Sequence, residues 1–311
     1  MTPPLARLRR LYRKIRWEMV RGGEGRRDRV LTVPTANGLL SFSNRDTHNG
    51  RALYVQREWE LGLLRGVVGY LRGQGLIPTG ADVVIDAGAN IGMIAIAMIQ
   101  EGHFREAVAI EPDPDNFAFL LRNIVQNGDT GRIHPVRAAL GDAGGTVELE
   151  RSEANFGDHR VRGETRGAAL MGEESRTRLA VPLRTLDDVV ESLGMRARVG
   201  LVWVDVQGYE GRLFRGATHT LEGGAPVLAE VWPYGIRRAG MERDEYVEIV
   251  RGLFERVIQV ADQGRTFGHR DPAWIAALFD ERPRPEQNAE VIFIPKRRGP
   301  APAGQRLPMG T

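Results

Sequence analysis

The sequence has 311 residues, of which 42% are hydrophobic and 27% are charged, so the chain can bury a substantial core and is not predicted to be disordered as a whole. It contains no run of about eighteen apolar residues, which argues against a transmembrane helix. It contains no cysteine, which excludes disulfides, thiolate metal sites and cysteine nucleophiles. A cytoplasmic location is the expectation for such a chain.

The formal net charge of +3 is unevenly distributed along the chain. Residues 1–29 carry ten basic and three acidic side chains, and the tail from Pro295 adds four more basic ones. The remaining residues, 30–294, therefore carry a net charge of about −8. Because nucleic-acid-binding surfaces are basic, we expect no nucleic-acid partner for this part of the chain.

Residues 1–29 form a basic arm whose apolar residues fall near helical spacing: Leu5, Leu8, Leu11, Tyr12 and Ile15. This pattern predicts a basic amphipathic helix. Such a helix binds weakly to a membrane surface or to a protein, or it packs on its own domain. The pattern alone leaves these alternatives open.

Residues 30–79 are predicted to form an extension made of a hairpin and a helix. Two short apolar runs, Val30–Val33 and Leu39–Phe42, flank the dipeptide Asn37-Gly38, which suits the positive φ angles of a tight hairpin turn. Arg57–Leu71 then places its apolar residues on one helical face. Glycines and a proline end this helix before residue 80.

Residues 80–295 are predicted to form the main domain, because short apolar runs alternate there with helical patterns. The predicted strands are Val83–Ile85, Ala107–Ile110, Ile133–Val136, Val147–Leu149, Leu201–Val204, Val227–Val231, Val257–Val260 and Glu290–Ile294. The predicted helices are Ile91–Ile99, Asn116–Gln126, Leu186–Leu193, Gly208–Leu221 and Glu242–Phe254. This alternation is typical of a doubly wound α/β fold with a mostly parallel sheet. Residues 151–180 are predicted to be a long loop or lid, and residues 296–311 a disordered tail.

The most informative segment runs from Val83 to Gly92, where a buried strand leads through a glycine turn into a helix. Ligands of such sheets bind at the carboxyl ends of the strands. Gly88 is predicted to let the backbone approach a ligand, and Gly92 to let the helix pack closely. Asn90 stands where a dinucleotide-binding turn has its middle glycine, so a pyrophosphate ligand is disfavoured. Asp86 suits a cationic ligand instead.

Glu111 ends the next predicted strand, 23 residues after Gly88. An acid at about this distance commonly binds the ribose hydroxyls of an adenosine. A ribose-binding acid without a phosphate-binding turn describes a pocket for S-adenosylmethionine.

The sequence resembles the FkbM family of S-adenosylmethionine-dependent methyltransferases. Six segments carry this resemblance: VIDAGANIG (84–92), AIEPDPDNFAFLLRN (109–123), AALGD (138–142), LRTLDD (183–188), VDVQGYEGRLFRGA (204–217) and VLAE (227–230). The resemblance implies a class I methyltransferase (Rossmann-like) fold. It also implies O-methylation, usually of a hydroxyl on a sugar, polyketide or other metabolite.

The resemblance also implies site residues. At the methionine end of the cofactor it places Asp86, Gly88, Asn90 and Gly92. It assigns Glu111 to the ribose, and it places Ala139, Leu140 and Asp142 near the adenine. Asp205 would face the reaction centre. The family most often has glutamate where this chain has Gln207, which weakens any proposal of a second carboxylate there.

An alcohol acceptor must lose a proton during methyl transfer, so a general base is expected. Asp205 is the first candidate, for the base or for orienting the acceptor, and His159, inside the predicted lid, is the second. Glu230, Trp232 and Tyr234 follow a late strand and are predicted to border the acceptor pocket, although core packing would explain the aromatic residues equally well. No metal site is predicted.

The expected partner is therefore a small-molecule or glycan hydroxyl acceptor. Three alternatives remain at this stage: a methyltransferase acting on RNA or protein, a nucleotide-dependent oxidoreductase, and a protein that binds the cofactor without turnover. The acidic middle of the chain argues against RNA, and Asn90 argues against the oxidoreductase.

Overall fold

The computed structural model describes residues 4–23, 25, 27–163, 170–282 and 284–296. The extension contains α1 (Pro4–Val20), β1 (Val30–Thr35), β2 (Gly38–Ser43), α2 (Asn49–Gln56) and α3 (Leu61–Gly73). The main domain begins with β3 (Val83–Ala87), α4 (Met93–Gln100), β4 (Glu106–Ile110), α5 (Pro114–Gln126), β5 (Ile133–Val136), β6 (Ala139–Leu140), β7 (Gly145–Arg151), β8 (Arg160–Val161), β9 (Thr177–Arg184) and α6 (Leu186–Ser192). It continues with β10 (Val199–Val204), α7 (Glu210–Arg215), α8 (Thr218–Glu222), β11 (Val227–Val231), α9 (Pro233–Arg238), α10 (Arg243–Leu253), β12 (Phe254–Ala261), β13 (Thr266–Arg270), α11 (Trp274–Glu281) and β14 (Ala289–Pro295).

Eight strands form the main sheet, in the order β13-β12-β14-β11-β10-β3-β4-β5. The five strands from β11 to β5 pair in parallel, whereas β14 pairs antiparallel with both β11 and β12. Every residue of β3 and β10 is buried, as expected for strands covered on both faces. The predicted α/β fold with a mostly parallel, doubly wound sheet is confirmed.

The order of the sheet reverses between β3 and β10. From β3 the chain winds outward through β4 to β5, and from β10 it winds the other way to β11. Helices that follow strands on either side of this point lie on opposite faces, so the loops at the carboxyl ends of β3 and β10 separate and leave a crevice. Asp86 and Asp205, which lie at these two strand ends, therefore face a common opening.

Two hydrophobic clusters cover the two faces of the sheet. One contains residues of α3, α4 and α5, such as Leu64, Met98 and Leu120. The other contains residues of α6, α7, α10 and α11, such as Phe214 and Tyr246. The extension contributes to the first cluster, so it packs on the main sheet rather than forming a separate core. The domain boundaries at residues 29, 79 and 295 stay predictions.

The predicted lid at residues 151–180 requires a correction. Part of it belongs to a second sheet of four strands, in the order β6-β9-β7-β8. The segment contributes the last residue of β7, the two-residue strand β8 and the first half of β9, and strands this short leave no clear periodicity in the sequence. Residues 164–169, and the predicted tail from residue 297 onward, lie outside the described residues.

Other predictions are corrected in detail. The hairpin forms, but its turn is Ala36–Asn37, with Thr35 paired to Gly38. The predicted helix Arg57–Leu71 begins only at Leu61, because Arg57 and Glu60 adopt positive φ angles of 69° and 50°. The predicted helix 208–221 is interrupted between α7 and α8. Sequence patterns did not predict α2, α9, β13 or α11.

No helix among the described residues is both long enough and apolar enough to cross a membrane.

Candidate active site

A cleft of about 250 Å³ opens at the carboxyl edge of the main sheet, where its order reverses. Its walls come from the turns after β3, β4 and β10, from Glu230 near the end of β11, from the small sheet, and from the extension. The predicted residues that line it are Asp86, Gly88, Asn90, Glu111, Ala139, Leu140, His159, Asp205 and Glu230. Residues far apart in sequence thus meet here because parallel strands end at one edge.

The turn after β3 is held by very close backbone packing. Gly88 has a φ of +88°, and a Cβ atom there would lie 1.9 Å from the carbonyl oxygen of Asp205. The N–H groups of Gly88 and Ala89 both donate to the Ile110 carbonyl at 2.9 Å. Gly88 is therefore required for the contact between β3 and β10 themselves, rather than only for the approach of a ligand.

Replacing Gly88 with alanine is expected to destabilise the protein by roughly 2–4 kcal/mol, because the new methyl group clashes with backbone and the φ angle is unfavourable. Urea unfolding would measure this loss. Gly69→Ala is the matched control: Gly69 lies in α3 with open space around it, so alanine there should stabilise slightly. A Gly88→Ala variant as stable as wild type would contradict the packing described.

Glu111 lies immediately after β4 and is buried. Its Oε2 accepts the N–H of Asn90, and its Oε1 accepts the N–H of Asp113, both at 2.9 Å. Burial raises the pKa of Glu111 to about 8, and the charge of Asp113 adds to this effect. Each carboxylate oxygen has a second lone pair, so the side chain is oriented by the backbone and can still accept bonds from two hydroxyls.

Two amide side chains near Glu111 hold the loop that covers this end of the cleft. The side-chain nitrogens of Asn90 and Asn116 both donate to the carbonyl of Phe156, at 3.0 and 2.8 Å. Their Oδ1 atoms are buried without a hydrogen-bond partner among the described residues. Because an unsatisfied buried acceptor is costly, these two oxygens fit a bound ligand that donates hydrogen bonds.

The cleft is strongly acidic. Five carboxyl groups line it, those of Glu60, Asp86, Glu111, Asp205 and Glu230, and no lysine or arginine does among the described residues. Burial raises the pKa of Asp86 to about 7, and the charge of Asp205 adds to this shift. Desolvation by the surrounding walls raises the pKa of Glu60 to about 8, and the charges of Glu290, Asp205 and Asp86 add to it. The pKa values of Asp205 and Glu230 are raised for the same reasons. Such a cleft favours a cationic ligand and disfavours a phosphate.

Asp205 and His159 differ in their freedom to accept a proton. The carboxylate of Asp205 reaches the cleft, and its Oδ1 accepts a bond from the Gln207 amide at 2.5 Å. His159 Nδ1 instead accepts the N–H of Ser152 at 3.0 Å, and Nε2 lies 3.8 Å from Asp113 Oδ2. Burial lowers the pKa of His159 to about 4. The ring is neutral, and because Nδ1 accepts the Ser152 N–H, the ring proton lies on Nε2. Neither nitrogen therefore has a free lone pair with which to take a proton from an acceptor.

The model of the FkbM methyltransferase domain matches residues 86–259, which is more than half of the chain. The chain belongs to the FkbM methyltransferase family. Over 151 residues it is 30% identical to the hexuronic acid methyltransferase AglP of Haloferax volcanii, a match that covers 48% of this chain and 56% of AglP. Over 179 residues it is 26% identical to the methyltransferase sdnD of Sordaria araneosa, covering 50% of this chain and 68% of sdnD.

Solved structures resemble this FkbM protein only distantly. Trm1 of Pyrococcus horikoshii, in complex with S-adenosyl-L-methionine, is 12% identical with a TM-score of 0.43, over 86% of this chain and 62% of Trm1. A likeness at this level carries no conclusion about ligand or substrate.

Four residues of the predicted FkbM site lie outside the cleft lining. Gly92 immediately precedes α4, and a Cβ atom there would lie 2.8 Å from the Leu120 side chain of α5 and 3.1 Å from that of Ile96. Its place at the methionine end of the cofactor stays a prediction. Asp142 forms an ion pair with Arg212 at 3.1 Å. The structure also corrects the position expected for Trp232 and Tyr234, which are turned away from the cleft by their partners.

Those partners belong to the small sheet, to the short turn that precedes β9, and to the segment after α11. The Arg160 guanidinium lies 4.5 Å from the centre of the Trp232 ring, and the indole nitrogen donates to Pro285 at 2.5 Å. The Tyr234 hydroxyl donates to Glu173 at 2.7 Å. Both rings thus pack against other parts of the domain. Sequence analysis gave this packing the same weight as a position at the acceptor pocket.

One wall of the cleft was missed by sequence reasoning because it comes from the extension, outside the FkbM match. His48, Trp59 and Glu60 line this wall. Asn37 fixes it: its Oδ1 accepts the N–H of Trp59 at 2.8 Å, and its Nδ2 donates to the Trp59 carbonyl at 2.9 Å. In the sequence, Asn37 was the one residue that could have indicated this wall. Its place in a hairpin turn already accounted for it, so it did not point to a site.

A second cavity adjoins the cleft and shares Trp59 and Glu60 with it. It lies between the start of α3, the turn after β12 and the start of β14, and its polar lining includes Gln56, Gln259, Gln263, Asn288 and Glu290. Arg282 lies in its wall, and its Nε is buried without a hydrogen-bond partner among the described residues. Within the described part of the chain, no group of three His, Asp or Glu side chains is arranged to hold a metal ion.

Proposed function

We propose that this protein is an S-adenosylmethionine-dependent O-methyltransferase that methylates a hydroxyl of a sugar, glycan or secondary metabolite. The observation that supports this most directly is the pairing of two cavities. An acidic cleft without cations suits the sulfonium donor, and a polar cavity beside it suits a hydroxylated acceptor. They meet at Trp59 and Glu60.

The residues of the cleft fit the proposed donor. Glu111 would accept bonds from the two ribose hydroxyls, and Asn90 and Asn116 have unpartnered oxygens at the same end of the cleft. Asp86 and Asp205 provide negative charge at the sheet edge. When bound, the donor supplies an electrophilic methyl group on a positively charged sulfur.

The protein's own contribution is positioning, proton removal and exclusion of water. Fixing acceptor and donor in line can supply on the order of 7–11 kcal/mol of the barrier. In this proposal Asp205 accepts the hydroxyl proton; its carboxylate faces the cleft, and its raised pKa, which makes it a stronger base than an ordinary aspartate, supports this role. Trp59, held by Asn37, and the loop at Phe156 would exclude water from the two sides.

Two observations support a polyhydroxylated acceptor such as a sugar or glycan: the lining of the second cavity and the similarity to AglP. Amide and carboxyl side chains beside an aromatic ring are the chemistry that recognises polyhydroxylated ligands. The unpartnered Nε of Arg282 offers a donor for a polar or anionic substituent. AglP is named for a hexuronic acid, a sugar that carries both hydroxyl groups and a carboxylate.

Calorimetric titration with S-adenosylmethionine and S-adenosylhomocysteine, followed by an acceptor screen that begins with hydroxylated sugars and uronic acids, tests the proposal. We expect micromolar binding of both ligands and methyl transfer to an oxygen of at least one acceptor, identified by mass spectrometry. Binding without turnover on any acceptor would favour a catalytically silent protein. Failure of the folded protein to bind either ligand would contradict the proposal.

The affinity for S-adenosylmethionine is expected to rise with pH between about 7 and 8, where Asp86 and Glu60 titrate. Their raised pKa values leave these groups partly protonated below this range, and only the ionised form attracts the sulfonium. For each carboxyl group that must lose its proton before the ligand binds, the affinity rises by up to about tenfold per pH unit. Titrations across this range would measure the slope. S-adenosylhomocysteine, which lacks the positive sulfur, is the control and should show a flatter dependence; equal slopes would contradict the explanation.

A further inference from the structure

Helix α1 exposes a continuous apolar stripe. Its members are exposed by 55–69% and are spaced at i, i+3, i+4, i+7 and i+11: Leu8, Leu11, Tyr12, Ile15 and Met19. At 3.6 residues per turn they fall within an arc of about 100°. They are five of the eleven large apolar side chains that are exposed in the described part of the chain, so the stripe is a concentrated patch rather than scattered exposure.

The opposite side of α1 is fixed to the extension. Trp17 is only 1% exposed and lies 5.5 Å, ring to ring, from Tyr54. The carbonyl of Val20 accepts a bond from the Asn44 amide at 2.7 Å. Because Trp17 is about half a turn away from the centre of the stripe, docking of the helix turns the stripe outward.

Cations flank the stripe on both sides. Arg9 and Arg16 lie along one edge and Arg7 and Lys14 along the other, at helical spacing. None of these four forms an ion pair with another residue that the structure describes. One acid, Glu18, lies at the end of the row of Arg7 and Lys14, and it pairs with Arg21 at 2.6 Å. The helix therefore presents an apolar band between two predominantly basic edges, whereas its main domain is acidic.

We propose that α1 binds the surface of an anionic phospholipid bilayer, with its axis parallel to the membrane and the stripe inserted at the boundary between headgroups and acyl chains. Flanking cations at the edges of an apolar band match the arrangement of phosphate groups around such a helix. A nucleic acid would use the cations but leave the apolar stripe exposed. A second copy of α1 would bring its own cations against these.

Co-sedimentation of the full-length protein with phosphatidylcholine vesicles, with and without phosphatidylglycerol, tests the proposal. We expect binding to the vesicles that contain phosphatidylglycerol and weakening by added salt. The triple variant Leu8→Ser/Leu11→Ser/Ile15→Ser should bind them at least about tenfold more weakly, because the inserted area is lost. Leu121→Ser/Val125→Ser, which removes two exposed apolar residues of α5, is the matched control and should bind as wild type does.

Three results would overturn the proposal. The first is absence of wild-type binding to anionic vesicles, and the second is equal binding by the triple variant, which would indicate adhesion by charge alone. The third is a wild-type dimer that the triple variant converts to a monomer without vesicle binding, which would assign the stripe to a second copy. Thermal unfolding of each variant confirms that the fold is intact, since the changed side chains are exposed.

Discussion

Replacing Asp205 with asparagine is expected to lower kcat roughly 10²- to 10⁴-fold, the usual effect of removing a general base. Asparagine keeps the size of the side chain and an oxygen that can accept the bond from the Gln207 amide. It cannot take up the proton of the acceptor. The affinity for S-adenosylmethionine should change much less than kcat, because the loss falls on the chemical step.

Steady-state kinetics on the acceptor found by the screen would measure this effect, and a pH profile would distinguish a base from a structural role. Activity of the wild type should fall as pH drops through the raised pKa of Asp205, because the protonated carboxyl cannot accept a proton. Asp82→Asn, which alters an acid paired with Arg198 at the amino end of β3, away from the cleft, should leave kcat near wild type. If Asp205→Asn retains the kcat of the wild type, Asp205 is not the general base. His48 would then be the candidate, because it is exposed in the wall of the cleft that the extension forms.

Replacing Glu111 with glutamine is expected to weaken binding of S-adenosylmethionine by roughly 100-fold or more. Each hydrogen bond to a charged group contributes about 1.5–3 kcal/mol, and two such bonds to the ribose are altered. Titration above the pH of about 8 at which Glu111 ionises would show the full difference. S-adenosylhomocysteine carries the same ribose and should lose a similar factor.

A control is needed because Glu111 is buried and also accepts two backbone N–H groups. Glu150→Gln provides it, since Glu150 is a glutamate of similar burial (6% against 4% exposed) in the small sheet, away from the cleft. Glu111→Gln should unfold at a somewhat lower temperature than wild type, because its amide nitrogen cannot accept the second backbone N–H, but both variants should be folded at the temperature of the titration. Only Glu111→Gln should lose affinity. Equal affinities in the two variants would contradict the assignment of the ribose to Glu111.

Local sequence patterns predicted the strands of the main sheet, except β13, and the residues at the centre of the cleft. Strands such as Val83–Ala87 are apolar throughout, and this pattern occurs only where both faces are covered. Parallel strands all end at one edge, so a residue that follows such a strand is directed to the common opening without knowledge of the packing. This rule predicted Asp86 and Glu111 at the cleft, and the resemblance to the FkbM family added Asp205.

The residues that surround the centre of the cleft follow from tertiary contacts, which local sequence patterns do not contain. Trp59 and Glu60 reach the cleft because the extension packs on one face of the sheet and Asn37 fixes the chain there, contacts between residues with no common periodicity. Trp232 follows a strand of the main sheet, as the cleft residues do. The guanidinium of Arg160 and the carbonyl of Pro285, from distant segments, nevertheless hold its ring away from the cleft. The direction of a side chain beyond a strand end depends on such long-range partners, and a local pattern does not contain them.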